Sequence, residues 1–358
     1  PVVPQFESAV AHLVHAKHAV AGNSATSLLH IACLALGVGK GDIVWTSPIS
    51  FAASANCALY CGAEVDFVDV DPDTFNMSVG ALAEKLETAK KTNSLPKVII
   101  PVHMSGQSCE MEKISTLARK YGIGIIEDAS HAIGGFYDLH RVGDCEYSDI
   151  TVFSFHPVKI ITTGEGGMAT TQNDSLAQKM RSLRSHGITR DEHDYINAPD
   201  GPWYYEQQHL GLNYRLTDIA AALGLSQLSR IDSFVETRND VAKRYDSAFS
   251  ATAIKIPRVL PECISAFHLY ICRFEFTSAD ISRRQLFESL KQDGVMLNLH
   301  YIPIYRHPYY QKLGFMPSNF PHAEQFYAEA FSIPMFVGLD EKDQESVVSQ
   351  LLNALITQ

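Results

Sequence analysis

Short, continuous apolar runs rich in Val and Ile recur through the first half of this chain, and helical patterns lie between them. The runs fall at 43–46, 65–70, 98–102, 123–127, 150–155 and 168–170. The helical stretches fall at 25–36, 51–60, 79–89, 110–121 and 175–184. A half-exposed strand alternates polar and apolar residues. Strands apolar throughout must be covered on both faces, and intervening helices supply that cover. The sequence therefore predicts an α/β fold: a mostly parallel sheet with helices on both faces.

The rhythm changes after Leu216. Residues 217–249 form one long Pro-free helical pattern, expected to kink or break. After Pro257 and Pro261 come strand 268–276, helix 282–292, strand 295–300 and two closing helices. That is a smaller α/β unit. For 358 residues, at about 100–200 per domain, the expected division is a large domain at 1–235 and a small C-terminal domain at 236–358. Residues 189–208 are polar, aromatic and punctuated by Pro and Gly, which reads as a long functional loop.

Composition narrows the function classes. Forty acidic against 29 basic residues give a net charge of −11, so no general attraction to nucleic acid or anionic membrane is expected. An anionic substrate would need local groups to hold it. No run approaches the roughly 18 apolar residues of a membrane span, and no secretory leader opens the chain. The chain begins at Pro1, so an N-terminal piece is expected to precede it. The seven cysteines are odd in number, lack CxxC pairing and sit mostly in apolar runs. They read as reduced, buried thiols of a cytoplasmic protein.

Two motifs are decoys. Gly37-Val38-Gly39-Lys40-Gly41 resembles a phosphate loop, but Leu34 and Gly41 stand where that loop needs Gly and Ser/Thr. It reads as a helix stop and a turn into a strand. The fifteen histidines include no pair at zinc spacing beside a third ligand, so no metal is expected.

Three segments can carry chemistry. Asn23-Ser24-Ala25-Thr26-Ser27 opens a helix; its hydroxyls either cap free N–H groups or, with those N–H groups, bind a phosphate. In Ile125-Ile126-Glu127-Asp128-Ala129-Ser130-His131, Asp128 lies just past a buried strand, where open α/β sheets place ligands. It either caps the next element or meets a cationic group. In Phe153-Ser154-Phe155-His156-Pro157-Val158-Lys159, Lys159 either snorkels to water or is a desolvated nucleophile. Phe51, just after another strand, either packs in the core or stacks on a ring. Taken together, a phosphate cradle, a carboxylate and a lysine match the needs of pyridoxal 5′-phosphate.

With that combination the chain resembles the DegT-like sugar-nucleotide aminotransferases of the aspartate-aminotransferase fold, pyridoxal-phosphate fold type I. The likeness covers nearly its whole length. It rests on Thr46-Ser-Pro-Ile-Ser-Phe51-Ala-Ala-Ser-Ala-Asn56, Val68-Asp-Val-Asp71, Glu127-Asp128, the segment ending at Lys159, Gly164-Glu-Gly-Gly167, Arg184-Ser-His-Gly187 and Leu212-Asn213-Tyr214-Arg215-Leu216. The resemblance implies that Lys159 carries the cofactor, Asp128 pairs with its pyridinium, and His131 sits by its ring oxygen. Phe51 would stack on it, while Ala25, Thr26 and Ser154 would hold its phosphate. Ala25 stands where the family usually has Gly. Asn213 would reach the phosphate site of a neighbouring subunit, implying a homodimer with shared sites.

Ser130-His131-Ala, Ile160-Ile-Thr-Thr-Gly-Glu-Gly-Gly167, Ala222-Leu-Gly-Leu-Ser-Gln-Leu228 and Leu299-His-Tyr-Ile-Pro-Ile-Tyr305 are similar to a narrower subgroup of that family. That subgroup uses L-glutamate to aminate C4 of a UDP-linked 4-keto-6-deoxy-N-acetylhexosamine in pseudaminic acid precursor synthesis. His300, Tyr301, Ile302, Pro303 and Ile304 would then contact the sugar nucleotide. The subgroup's members carry a further N-terminal segment with substrate contacts. Some relatives are dehydratases with His in place of the lysine; Lys159 points to transamination. Three alternatives stay open: a perosamine- or bacillosamine-type 4-keto sugar, a different pyridoxal-phosphate chemistry such as an aldolase or lyase, and a silent binding or regulatory protein.

Overall fold

Seven strands form the central sheet of the computed structural model, which describes residues 1–356. Thr357 and Gln358, the last residues of the expected small domain, lie outside the described residues. The strands are β1 (His18–Gly22), β2 (Ile43–Thr46), β3 (Glu64–Phe67), β4 (Val98–Ile100), β5 (Gly124–Asp128), β6 (Ile150–Ser154) and β7 (Gly167–Thr171). Their spatial order is β1-β7-β6-β5-β4-β2-β3. Every neighbouring pair from β3 to β6 is parallel, whereas β7 runs antiparallel to both β6 and β1.

The apolar runs identified in the sequence supply every strand except β1. Its sequence, His-Ala-Val-Ala-Gly, has little intrinsic strand preference. The strand exists because all five residues pair in register with β7.

Helices cover both faces, and their starts are locally encoded. Ser24 caps α2 (Ala25–Ala35) by accepting the Ser27 N–H at 3.1 Å. Ser78, Asn173 and Thr217 do the same for α4 (Val79–Thr92), α6 (Asp174–Arg184) and α7 (Asp218–Leu228), each satisfying a donor the helix leaves free. Gly37 and Gly41 have φ of 77° and 91°, which glycine adopts without strain. They turn the chain from α2 into β2, as the helix-stop reading expects.

Adjacent residues of a strand serve different cores. Val152 belongs to the layer beneath α2 and α3 (Ala53–Tyr60) with Leu28, Val44 and Ile126. Phe153 belongs to the opposite layer, with Phe6, Val10 and Val14 of α1 (Val2–Val14). A third core, under α4 and α5 (Met111–Lys120), holds Trp45, Leu82 and Ile114. A fourth gathers Tyr245, Tyr270, Phe331 and Leu351 from the last third of the chain.

Three sequence expectations are refined. The long pattern at 217–249 breaks into α7 and α8 (Ile231–Phe249), with Ser229 returning its hydroxyl to Ser226 O at 3.0 Å. The expected strand 295–300 is not formed; a single bridge joins Asn298 to Ser332 of β9 (Ala330–Ile333), the antiparallel partner of β8 (Tyr270–Arg273). The Asn298 side chain takes the Leu299 N–H at 2.8 Å, a local bond that competes with a ladder. The loop at 189–208 is folded around Glu206. Its carboxylate accepts the Ile196 and Asn197 N–H groups, both at 2.8 Å, and the Tyr204 hydroxyl, which hold it down at about 2.

All seven cysteines are unpaired thiols, six of them buried. Among the described residues, no helix is long and apolar enough to cross a membrane.

The α1–α7 crossing is close. The Phe6 ring lies 5.3 Å from that of Phe155, and a Cβ on Gly224 would lie 2.6 Å from the Phe6 ring. Phe6→Ala should cost about 3–5 kcal/mol and Gly224→Val about 1–3 kcal/mol through overpacking. Equilibrium urea unfolding of both variants checks this; an unchanged midpoint in both would refute this account of the crossing.

Candidate active site

The carboxyl ends of β5 and β6, the start of α2 and the segment around His300 enclose a cavity of about 300 Å³. Ala25, Thr26, Phe51, Asp128, His131, Ser154, Lys159, His300 and Tyr301 all line it. Residues up to 276 apart in sequence thus meet, taking Ala25 and Tyr301 as the extremes (301 minus 25).

Asp128 ends β5, almost fully buried. Its Oδ2 accepts the Ser54 hydroxyl at 2.6 Å. Its Oδ1 accepts the Ser130 N–H at 3.1 Å and the Ser130 hydroxyl at 2.5 Å. Every bonded partner is neutral, so none of these bonds pairs the carboxylate with a cation. Glu127 points to the opposite face, as strand alternation requires. It accepts from His103 Nε2 at 2.6 Å and from the hydroxyls of Ser148 and Thr151. Burial pushes the Glu127 carboxyl up, but these donors outweigh it and hold it below its ordinary range. His103 Nδ1 accepts the Cys109 N–H at 3.1 Å, which leaves the ring proton on Nε2, facing Glu127.

Lys159 follows the turn after β6, its N–H on His156 O at 2.9 Å. Among the described residues its ε-amine makes no hydrogen bond or ion pair. Burial pulls that amine down to about 8, against the upward pull of Asp128.

His131 is buried, with Nε2 at 3.1 Å from the Tyr301 hydroxyl. Its Nδ1 is buried without a partner among the described residues. The ring lies 4.5 Å from His268. Burial first, and then the positive charge of Lys159, hold His131 and His268 well below the usual histidine range. The same causes bring His300 down to about 4. These rings are neutral at physiological pH.

At the start of α2, the Ser24 cap serves Ser27 and the Ser24 carbonyl serves Leu28. Ala25 and Thr26 occupy the first two helical positions, whose N–H groups have no partner within a helix, and both line the cavity. Gly167 makes the cradle close: a Cβ there would sit 2.8 Å from Ala25 N. Phe51 is 64% exposed, forms a wall of the cavity, and lies 6.3 Å from the Tyr301 ring.

Four expected site residues do not line this cavity. Pro303 and Ile304 are buried, Ile304 in the core with its N–H on Pro48 O at 2.9 Å. Asn213 is exposed and pairs its backbone with Ser185, outside this cavity. Ile302 lines a second, adjoining cavity. Sequence reading passed over Ser54, Ser130 and His268. Ser50 and Ser54, four apart at a helix start with hydroxyls 2.6 Å from one another, were a readable signal; His268 had none.

The DegT/DnrJ/EryC1/StrS aminotransferase family model matches residues 1–352. A spore coat polysaccharide biosynthesis protein, SpsC, from Bacillus subtilis is 37% identical over 97% of this chain and 88% of its own. UDP-4-amino-4,6-dideoxy-N-acetyl-beta-L-altrosamine transaminase from Campylobacter jejuni is 38% identical over 99% of this chain and 89% of its own. The solved structure of Helicobacter pylori PseC, described as an aminotransferase involved in the biosynthesis of pseudoaminic acid, is 32% identical. It matches 100% of this chain and 92% of its own, with a TM-score of 0.90.

The lowered Lys159 value has a checkable sign. The unfolded chain holds this lysine's proton up to about pH 10.4, while the folded, cofactor-free chain releases it near 8. Between those values the unfolded state binds more protons, so this group makes stability rise with pH. In cofactor-free protein, modification of Lys159 by an amine-reactive ester should be half-maximal near pH 8. Asp128→Asn should move that midpoint lower. A midpoint at the value of surface lysines would refute the desolvated setting.

Proposed function

This chain belongs to the DegT/DnrJ/EryC1/StrS aminotransferase family, and on that premise we propose that it transfers an amino group from L-glutamate to C4 of a UDP-linked 4-keto-6-deoxy-N-acetylhexosamine, a pseudaminic acid precursor. The observation carrying the reading is a single cavity that joins an open helix start, a charged Asp128 with only neutral partners and a desolvated, unpaired Lys159. The C. jejuni and H. pylori relatives support the choice of sugar.

Pyridoxal 5′-phosphate is the cofactor of this family, and the residues present fit it. The free N–H groups of Ala25 and Thr26, the Gly167 cradle and the Ser154 hydroxyl suit a phosphate. Asp128 suits a protonated pyridine nitrogen, Phe51 a ring face, and His131, neutral, the ring oxygen. When bound, the cofactor supplies an aldehyde for amines and an electron sink for the charge that develops when a carbon next to nitrogen loses its proton.

The chain's own residues do the rest. Lys159 holds the cofactor until the amino donor displaces it. Its ε-amine, buried and without a hydrogen-bond partner among the described residues, is then free to carry a proton. It takes the proton from the donor's Cα and returns it one step along, first as base and then as acid. Asp128 keeps its charge beside the ring nitrogen throughout. In the second half-reaction the same groups work in reverse on the keto sugar.

The reading extends to the assembly. Asn213, exposed and outside its own chain's cavity, completes the site of a second copy in a homodimer. The large domain ends near residue 235, and residues beyond it form the small one. Seven free thiols suit a reducing, cytoplasmic setting. The B. subtilis relative, whose name places it in spore coat polysaccharide synthesis, favours a second reading: a different nucleotide-linked 4-keto sugar, of perosamine or bacillosamine type.

Protein loaded with cofactor should lose its visible lysine-bound absorption band on addition of L-glutamate and release 2-oxoglutarate. Lys159→Ala and Lys159→Arg should abolish turnover while the fold survives by circular dichroism, and Asp128→Asn should slow it at least 100-fold. Turnover by Lys159→Ala would sink the proposal. A panel of UDP-, GDP- and dTDP-linked keto sugars then decides between the two sugar readings.

A further inference from the structure

A second cavity of about 700 Å³ opens beside the first and shares Ser50, Phe51 and Tyr301 with it. Its walls are aromatic. Tyr60 and Tyr309 line it with 54% and 60% of their surface exposed, as does Phe51. No Lys, Arg, Asp or Glu lines it. Asn56 is its one amide: the Tyr310 hydroxyl donates to Asn56 Oδ1 at 2.5 Å, so the other end of that amide, Nδ2, is the donor left for the cavity.

The nucleotide-sugar reading above supplies a substrate with four parts, the reacting sugar, a diphosphate, a ribose and a base, and the chemistry of the two cavities sorts them. The reacting sugar carbon must reach Lys159, which lines only the first cavity. A diphosphate carries charges that need cationic or N–H partners, and the second cavity offers no lysine or arginine and, besides Asn56, only the ring of His307. Of the two parts left, the ribose is a hydroxyl-rich ring that apolar walls leave without partners, whereas the base is flat, uncharged and carries ring carbonyls, which suits aromatic walls and one amide donor. We propose that the second cavity takes the uracil base of the nucleotide, stacked against Tyr309 and Tyr60, with Asn56 Nδ2 donating to a ring carbonyl. Base–aromatic stacking is sequence-tolerant, so Asn56 supplies the discrimination and the tyrosines supply the hold. This assigns Asn56, Tyr60 and Tyr309 as specificity-determining residues, placed on α3 and after Pro308, away from Asp128 and Lys159.

The test is calorimetric titration of the full cofactor-loaded chain with UDP, GDP and inorganic pyrophosphate. Tyr309→Ala should raise the UDP Kd about tenfold or more, and Tyr309→Trp should restore binding to within about twofold. Asn56→Asp keeps an oxygen for the Tyr310 hydroxyl but replaces the donor by a negative acceptor. It should weaken UDP about tenfold and leave pyrophosphate binding as it was. Circular dichroism melts confirm that each variant is folded. UDP binding unchanged in both Tyr309→Ala and Asn56→Asp overturns the proposal. So does an equal loss for UDP and pyrophosphate, which would place the diphosphate there, and so does tighter binding of GDP than of UDP. UDP titration does not depend on amine transfer, so wild-type protein that binds UDP as described but fails to react with glutamate would count against the aminotransferase reading alone.

Discussion

Two neighbouring carboxylates in one buried strand set the terms for the rest of this molecule. Glu127 and Asp128 end β5 in the middle of the sheet, each almost fully buried. A buried carboxylate is costly unless bonded. The strand's alternation sends the two to opposite faces, where they are satisfied differently. Glu127 has a histidine and two hydroxyls and ties β5 to β6 and to the turn after β4. Asp128 has only serine donors. They stabilise its charge without cancelling it, so the cavity receives a fixed negative charge that a cationic group can use.

Around that carboxylate the imidazoles are kept neutral. Lys159, His131, His268 and His300 crowd one another, and burial disfavours a positive charge on each. Behind His268, Arg238 adds a charge held by three backbone carbonyls, those of Phe267, His268 and Met335. Protonating any one ring would set it against Lys159, and protonating His268 would set it against that guanidinium as well. The arrangement fixes a division of labour: Asp128 is the carboxylate of the cavity, the rings of His131, His268 and His300 are neutral hydrogen-bonding groups, and the Lys159 amine is pulled down towards neutral pH.

Much of this was legible in the sequence because it is local. Continuous apolar runs specify buried parallel strands, and Ser24, Ser78 and Thr217 mark helix starts. Asp128 and Lys159 stand where strand ends place ligands in any open α/β sheet. The illegible parts depend on partners far along the chain. β1 is a strand because β7 pairs with it. His268 matters because it lies against His131, 137 positions earlier (268 minus 131). Pro303 and Ile304 looked like ligand contacts beside Tyr301, but the chain turns there and spends Ile304 on the core. No periodicity distinguishes a residue facing a cavity from its neighbour facing the interior when the segment has no regular structure, as at 298–305.

The fold also keeps most of the chemistry apart from selection, α3 being the exception because it carries both Ser54, a partner of Asp128, and Asn56 and Tyr60. Asp128, Ser154 and Lys159 are set by the sheet's carboxyl ends, and Ala25 and Thr26 by a capped helix start; moving any of them would disturb a buried strand or an eleven-residue helix. The second cavity is walled by residues 50–60 and 299–310, and among them Phe51, Tyr60 and Tyr309 are exposed while Tyr310 is buried. Substituting an exposed tyrosine there costs little stability, whereas the same change at a strand end would leave a buried polar group unpaired. Phe51 is the hinge of this division, because it walls both cavities. A chain built this way can change which nucleotide sugar it accepts at Asn56, Tyr60 and Tyr309 while the aspartate, the desolvated lysine and the open helix start stay as they are, because those three residues line only the second cavity.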